Sequence, residues 1–190
     1  MSDFALTEEQ YNEVVRLSRA YHREAYRCKN GKAYLAGCVM MGAALEASLL
    51  VFANCYPDEA LRSTCAPTRR GIIKPLAQWS LAELLAVAKE RAWLPSGLSL
   101  DEEWSDKSAQ IGDYTEVLRQ IRNLIHPTQH MLSLPHKRIT KRYLEMSFEI
   151  FEVVRVYLLN KLAKSLRAAF EAGNDKGTHE CKEQKSTKSR

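Results

Sequence analysis

Between Ala33 and Ala53 the chain is apolar almost without a break, and the run contains Gly42-Ala43-Ala44-Leu45-Glu46-Ala47-Ser48-Leu49-Leu50. It is about as long as a membrane-spanning helix. Glu46 interrupts it, however, and a carboxylate at that depth is costly in lipid. Gly37, Gly42 and several alanines soften it further. The stretch therefore reads as a buried core helix from about Lys32 to Cys55, closed by Tyr56-Pro57. Because it is apolar on nearly every side, it should be the central helix of a bundle. Ala36, Gly37, Gly42, Ala43, Ala44 and Ala47 would let neighbouring helices come close.

Working outward, Thr7 with Gln10 forms a capping-box signature that opens a first helix. Tyr11, Val14, Val15, Ser18, Tyr21 and Ala25 recur every three to four residues along it, and Asn30-Gly31 ends it. Residues 57–79, with Pro57, Pro67, Gly71 and Pro75, look irregular. Ser80 with Glu83 starts a short helix to about Trp93, stopped by Leu94-Pro95-Ser96-Gly97. A further helix is expected from about Ser105 to Ile125. The last begins near His136 and meets no glycine or proline until Gly173. Ile139, Tyr143, Met146, Ile150, Val153 and Tyr157 give it a heptad seam, which reads as intrachain core. This helix would span about 50 Å.

The expected architecture is all-α: an elongated bundle of four main helices plus a short one, forming one domain over residues 1–173. Residues 174–190 read as a polar, disordered tail. Eight glycines and six prolines in 190 residues are too few for an all-β fold with many tight turns. The net charge of +5 permits a nucleic-acid partner without demanding one. The five cysteines include no Cys-x-x-Cys pair and read as reduced, packing residues. With no signal-like start at Met1-Ser2-Asp3-Phe4, the expected location is cytoplasmic, away from the membrane.

The chemistry-bearing stretch is Arg119-Gln120-Ile121-Arg122-Asn123-Leu124-Ile125-His126-Pro127. At about 100° per residue, Arg119, Arg122, Asn123 and His126 share an arc of about 100° beside the apolar Ile111, Tyr114, Leu118, Ile121 and Ile125. Pro127 sets His126 at the helix end. Histidine suits proton transfer near neutral pH. Arginine grips a phosphate bidentately and stays charged. Asparagine can orient the histidine or donate to a phosphate oxygen. The helix C-terminus favours the protonated imidazole. These are the groups that cutting RNA without a metal requires. The plain alternative is a solvated arginine face ended by a His-Pro terminator.

The segment Arg119-x6-His126, with Arg122-Asn123 inside it and Pro127 after it, resembles the motif of the HEPN superfamily. The resemblance implies a small helical bundle and a metal-independent endoribonuclease, of the kind used as a toxin or in phage defence. It also implies a homodimer whose motif helices face one cleft, and a cognate antitoxin as partner. Other members of that superfamily are non-catalytic modules, so binding of a protein or nucleotide partner is the alternative. By the same likeness Glu46, on the second helix, would fix an arginine from behind. Arg122 and His126 enclose only three residues, so Arg119, at the six-residue limit, is the natural motif arginine. Arg122 would then be structural, or the two would exchange roles.

The cluster Lys137, Arg138, Lys141 and Arg142 at the start of the last helix could guide RNA to the motif, or form a solvated helix start. No cofactor or metal site is expected: His126 and His130 are separated by a helix-breaking proline and lack a third ligand nearby. Trp79, Trp93 and Trp104 read as packing residues rather than base-stacking platforms.

Overall fold

The computed structural model describes residues 4–94 and 139–186. Among these residues the chain is helical, apart from one small hairpin and a short 3-10 turn. Helix α1 (Glu8–Asn30) opens on the expected reciprocal cap, in which the Thr7 hydroxyl accepts from Gln10 N–H and the Gln10 side chain accepts from Thr7 N–H. The reversal into α2 (Tyr34–Cys55) turns on Lys32, which adopts a left-handed φ of 58°. Gly31, directly after the helix, keeps a φ of −80°.

Helix α2 is the hub. Helix α1 packs along it, and α5, α4 and α3 also pack against it. Met41, Ala44, Leu45, Leu49 and Ala53 have no exposed surface. By length and composition α2 could cross a membrane, and half of its most apolar window is buried within the protein. At Gly37 a Cβ would lie 2.6 Å from a methyl of the fully buried Leu144, so the missing side chain permits the close approach of α5.

The region read as irregular has more order than its prolines suggest. Pro57 starts a short helix, α3 (Pro57–Leu61), at the position where a missing N–H costs nothing. Strands β1 (Thr68–Arg69) and β2 (Ile72–Ile73) then pair antiparallel. Arg70 and Gly71, with φ of 55° and 77°, make the two-residue turn, a conformation suited to the strand twist. After the 3-10 turn Leu76–Gln78, the expected Ser80–Glu83 capping box opens α4 (Leu81–Glu90). The N-terminal segment closes over this side. Leu76 N–H donates to Phe4 O at 2.8 Å, and the Phe4 ring meets Trp79 edge-on.

Helix α5 (Lys141–Ser186) has 46 residues and is about 70 Å long. The sequence ends the long helix at Gly173; the helical backbone continues to Ser186. Its buried stripe also differs from the expected seam. Leu144, Ser147, Phe151, Val154 and Leu158 are buried, whereas Ile139, Tyr143, Met146 and Val153 are only partly covered and Tyr157 is 37% exposed. The seam is rotated by about one residue, roughly 100°. The reason is that Ser147 and Lys161 occupy the true seam and hide it from a reading of apolar residues. Ser147 satisfies its hydroxyl on Tyr143 O at 2.8 Å, and Lys161 pairs with Glu59 at 2.9 Å.

Candidate functional site

The predicted Arg119, Arg122, Asn123 and His126, together with Lys137 and Arg138, lie outside the described residues, as do the expected helix from Ser105 to Ile125, His130, His136 and Trp104. Three of the predicted site residues are described. Glu46 is half-buried on α2. Lys141 and Arg142 are exposed at the start of α5. Lys141 Nζ lies 3.4 Å from Glu145 Oε1, which Lys29 of α1 also approaches at 3.3 Å. Desolvation pushes the Glu145 carboxyl up, but hydrogen bonds from Lys29 and Lys141 outweigh it and hold the group below its usual range. Lys141 thus helps tie α5 to α1 through a shared carboxylate.

The structure brings together a different set of residues. Helices α1 and α5 run on either side of α2 and leave a cleft of about 510 Å³ between them. Val51 and Phe52 of α2 line its floor, with Phe151, Leu158 and Leu162 on the α5 side. Ser18 of α1 and Ser48 of α2 share a hydrogen bond at 3.0 Å, and the Ser48 hydroxyl also lies 2.8 Å from Ala44 O. The two hydroxyls are therefore accommodated within an otherwise apolar lining.

His22 stands at one end of the cleft. Its ring stacks on Phe151 at 5.1 Å and meets Phe148 and Tyr26 edge-on. Its Nε2 is buried and has no hydrogen-bond partner. Glu152 Oε1 is 3.5 Å away, a distance that permits attraction to a protonated imidazole rather than a good hydrogen bond. The other oxygen, Oε2, is gripped by Arg155 through Nε at 2.8 Å and Nη2 at 2.7 Å. On the α1 wall, Arg19 shares with His22 a second, shallower depression that also takes in Arg16 and Arg23. This arrangement can hold apolar surface on the floor and a hydrogen-bond acceptor or anion at the histidine and Arg19.

No protein-family model matches the chain, and no curated protein or solved structure matches it.

The reading of the sequence missed His22. The available signal was a histidine four residues after Ser18 and seven after Val15, on the apolar stripe of α1. A second missed cluster joins α3, α4 and α5. Trp93, 2% exposed, donates Nε1–H to Glu59 Oε2 at 2.6 Å. Lys161 donates to the same oxygen and lies over the Tyr56 and Trp93 rings. Burial raises the Glu59 pKa, but Lys161 and Trp93 outweigh it and leave the group lowered. Every polar group here is answered, which suits a structural joint. Trp79, 3% exposed, likewise donates to Lys74 O at 2.9 Å, so both described tryptophans are packing residues. The buried Cys38 thiol is pushed up to about 11 by burial, the state of an unreactive packing cysteine.

Proposed function

We propose that the chain is a metal-independent endoribonuclease or RNA-binding protein of HEPN type. In this reading it is cytoplasmic, works as a homodimer in a toxin or phage-defence role, and is held in check by a cognate antitoxin. The observation that carries the proposal is the ordered set Arg119, Arg122-Asn123 and His126-Pro127. Two features of the fold support it: the described chain is almost wholly helical, and Glu46 sits on the hub helix α2. In the proposed reaction the RNA 2′-hydroxyl attacks the adjacent phosphorus and loses its proton. The 5′-oxygen leaves with a proton from His126, and a 2′,3′-cyclic phosphate remains. Arg119 and Arg122 hold the phosphate, Asn123 orients them, Glu46 fixes an arginine, and Lys137, Arg138, Lys141 and Arg142 guide the strand.

The test is cleavage of labelled RNA in EDTA by wild type, His126→Ala and Arg119→Ala at equal fold and oligomer content. Cyclic phosphate ends from the wild type, with cleavage lost in both variants, support the proposal. Cleavage that persists in both variants overturns the residue assignment, and no cleavage or RNA binding by wild type overturns the proposal. A second reading, a non-catalytic module that binds a protein or nucleotide partner, draws on the α1–α2–α5 cleft and its unanswered histidine nitrogen.

A further inference from the structure

We infer that the cleft between α1 and α5 is the seat of an acidic amphipathic helix from a partner protein. The site is separate from the one proposed for RNA. On α2, Ser48 faces the cleft, and Glu46 projects about 160° away from it. Three helices supply a floor and two walls, leaving the place that a fourth helix fills in a packed helical layer. The apolar surface also runs beyond the cleft. Leu159, which lines it, is 49% exposed, and Leu166 and Phe170, further along α5, are each 71% exposed. From Phe151 to Phe170 this stripe is about 28 Å long. That is the length of a helix of about five turns, and longer than a small molecule confined to the cleft would need.

Charge selects the partner. Between Val153 and Phe170, α5 carries Arg155, Lys161, Lys164 and Arg167 and no carboxylate. On the opposite wall Arg19 and Arg23 make no ion pair among the described residues. The neighbouring carboxylates Glu13 and Glu152 are each engaged by an arginine, Arg16 and Arg155. A second copy docking through its own α5 would bring more cations to these walls. Glutamates flanking a leucine stripe would meet Arg19, Arg23 and Arg155 instead, and could accept from His22 Nε2.

The probe is a fluorescein-labelled synthetic helix of about 20 residues, with leucines on one face and glutamates flanking them, titrated by anisotropy with the full chain. A second peptide carries lysines in place of the glutamates. The glutamate peptide should bind at least about tenfold tighter than the lysine peptide, and more weakly as salt rises. Arg19→Glu/Arg23→Glu and Leu159→Asp/Leu166→Asp, all at exposed positions, should each weaken it by about tenfold or more with an unchanged circular dichroism spectrum. Equal binding of both peptides overturns the charge argument. Binding unaffected by Leu159→Asp/Leu166→Asp overturns the site. A wild-type dimer that the same variant returns to monomer in sedimentation gives the cleft to a second copy and overturns the partner. Arg119→Ala and His126→Ala should leave peptide binding intact, so this proposal and the RNA proposal fail separately.

Discussion

Helix α5 has two edges that treat polar groups in opposite ways. Toward α3 and α4, Lys161 and Trp93 both reach Glu59 Oε2, and Tyr56 donates toward Lys161 O and Ser165 Oγ at 3.2 and 2.7 Å. Toward α1, His22 Nε2 is shielded from water without a hydrogen bond, and an apolar cleft stands open beside it. A buried polar group left unanswered costs about 1–3 kcal/mol, whereas an answered one is close to neutral or favourable. The first edge is thus built for stability alone. The second gives up stability in a place where a ligand can restore it.

Trp93→Ala tests the completed edge most severely. It removes a side chain that is 2% exposed and packs edge-on to Phe52 at 5.1 Å, and it strands the Glu59–Lys161 pair. The expected loss is about 3–5 kcal/mol, read from urea denaturation. Trp93→Phe should recover most of it and lose about 1–2 kcal/mol, the share of the Nε1–H bond. Equal losses from the two variants would mean that Glu59 contributes nothing at this joint.

The closed contact between α2 and α5 lies at Gly37. Gly37→Val would press its methyls into Leu144, which has no exposed surface and little freedom to yield. The expected cost is about 1–3 kcal/mol by the same denaturation measurement. A neutral result would show that α5 can lift from α2 at that end, and the contrast between a closed and an open side of the molecule would weaken.

Acid should loosen the completed side as well. The Glu90 carboxyl accepts from the Ser63 hydroxyl and from the backbone N–H groups of Thr64 and Cys65, and these bonds hold its pKa at about 2, below the ordinary 4.5. A depressed folded-state pKa contributes stability that is fully present above about 4.5 and is lost as pH falls toward about 2. Glu90→Gln should lower Tm at neutral pH and flatten the decline of Tm across that acid window. An acid limb as steep as that of the wild type would place the titration on other groups.

These contrasts also separate what the sequence made legible from what it did not. Thr7–Gln10 and Ser80–Glu83 were readable because a cap is made within four residues. The central role of α2 followed from a helix with no polar face to turn outward. The buried face of α5 was misjudged because its seam contains Ser147 and Lys161, whose compatibility with burial depends on Tyr143 O nearby and on Glu59, 102 residues away. The Arg70-Gly71 turn was hidden by strands of two residues each, too short to show alternation. The cleft was illegible for a different reason. Its lining comes from three helices far apart in sequence, and each residue taken alone is ordinary. The motif from Arg119 to His126 is the reverse case, legible in sequence and outside the described residues.

The smallest expected effect is the most discriminating. His22→Phe keeps a ring to stack on Phe151 and to meet Tyr26 and Phe148, and it deletes the nitrogen that lacks a hydrogen bond. If Nε2 is held for a ligand, folding loses nothing by its removal. Stability should stay within about 0.5 kcal/mol of wild type or rise by up to about 1 kcal/mol, while affinity for the glutamate peptide falls. The two readouts must move apart. A variant that loses stability and peptide affinity together would make His22 part of the structural lining, engaged with Glu152 across their 3.5 Å separation. The α1 edge of α5 would then be as complete as the α3 edge, and the cleft would owe its shape to packing alone.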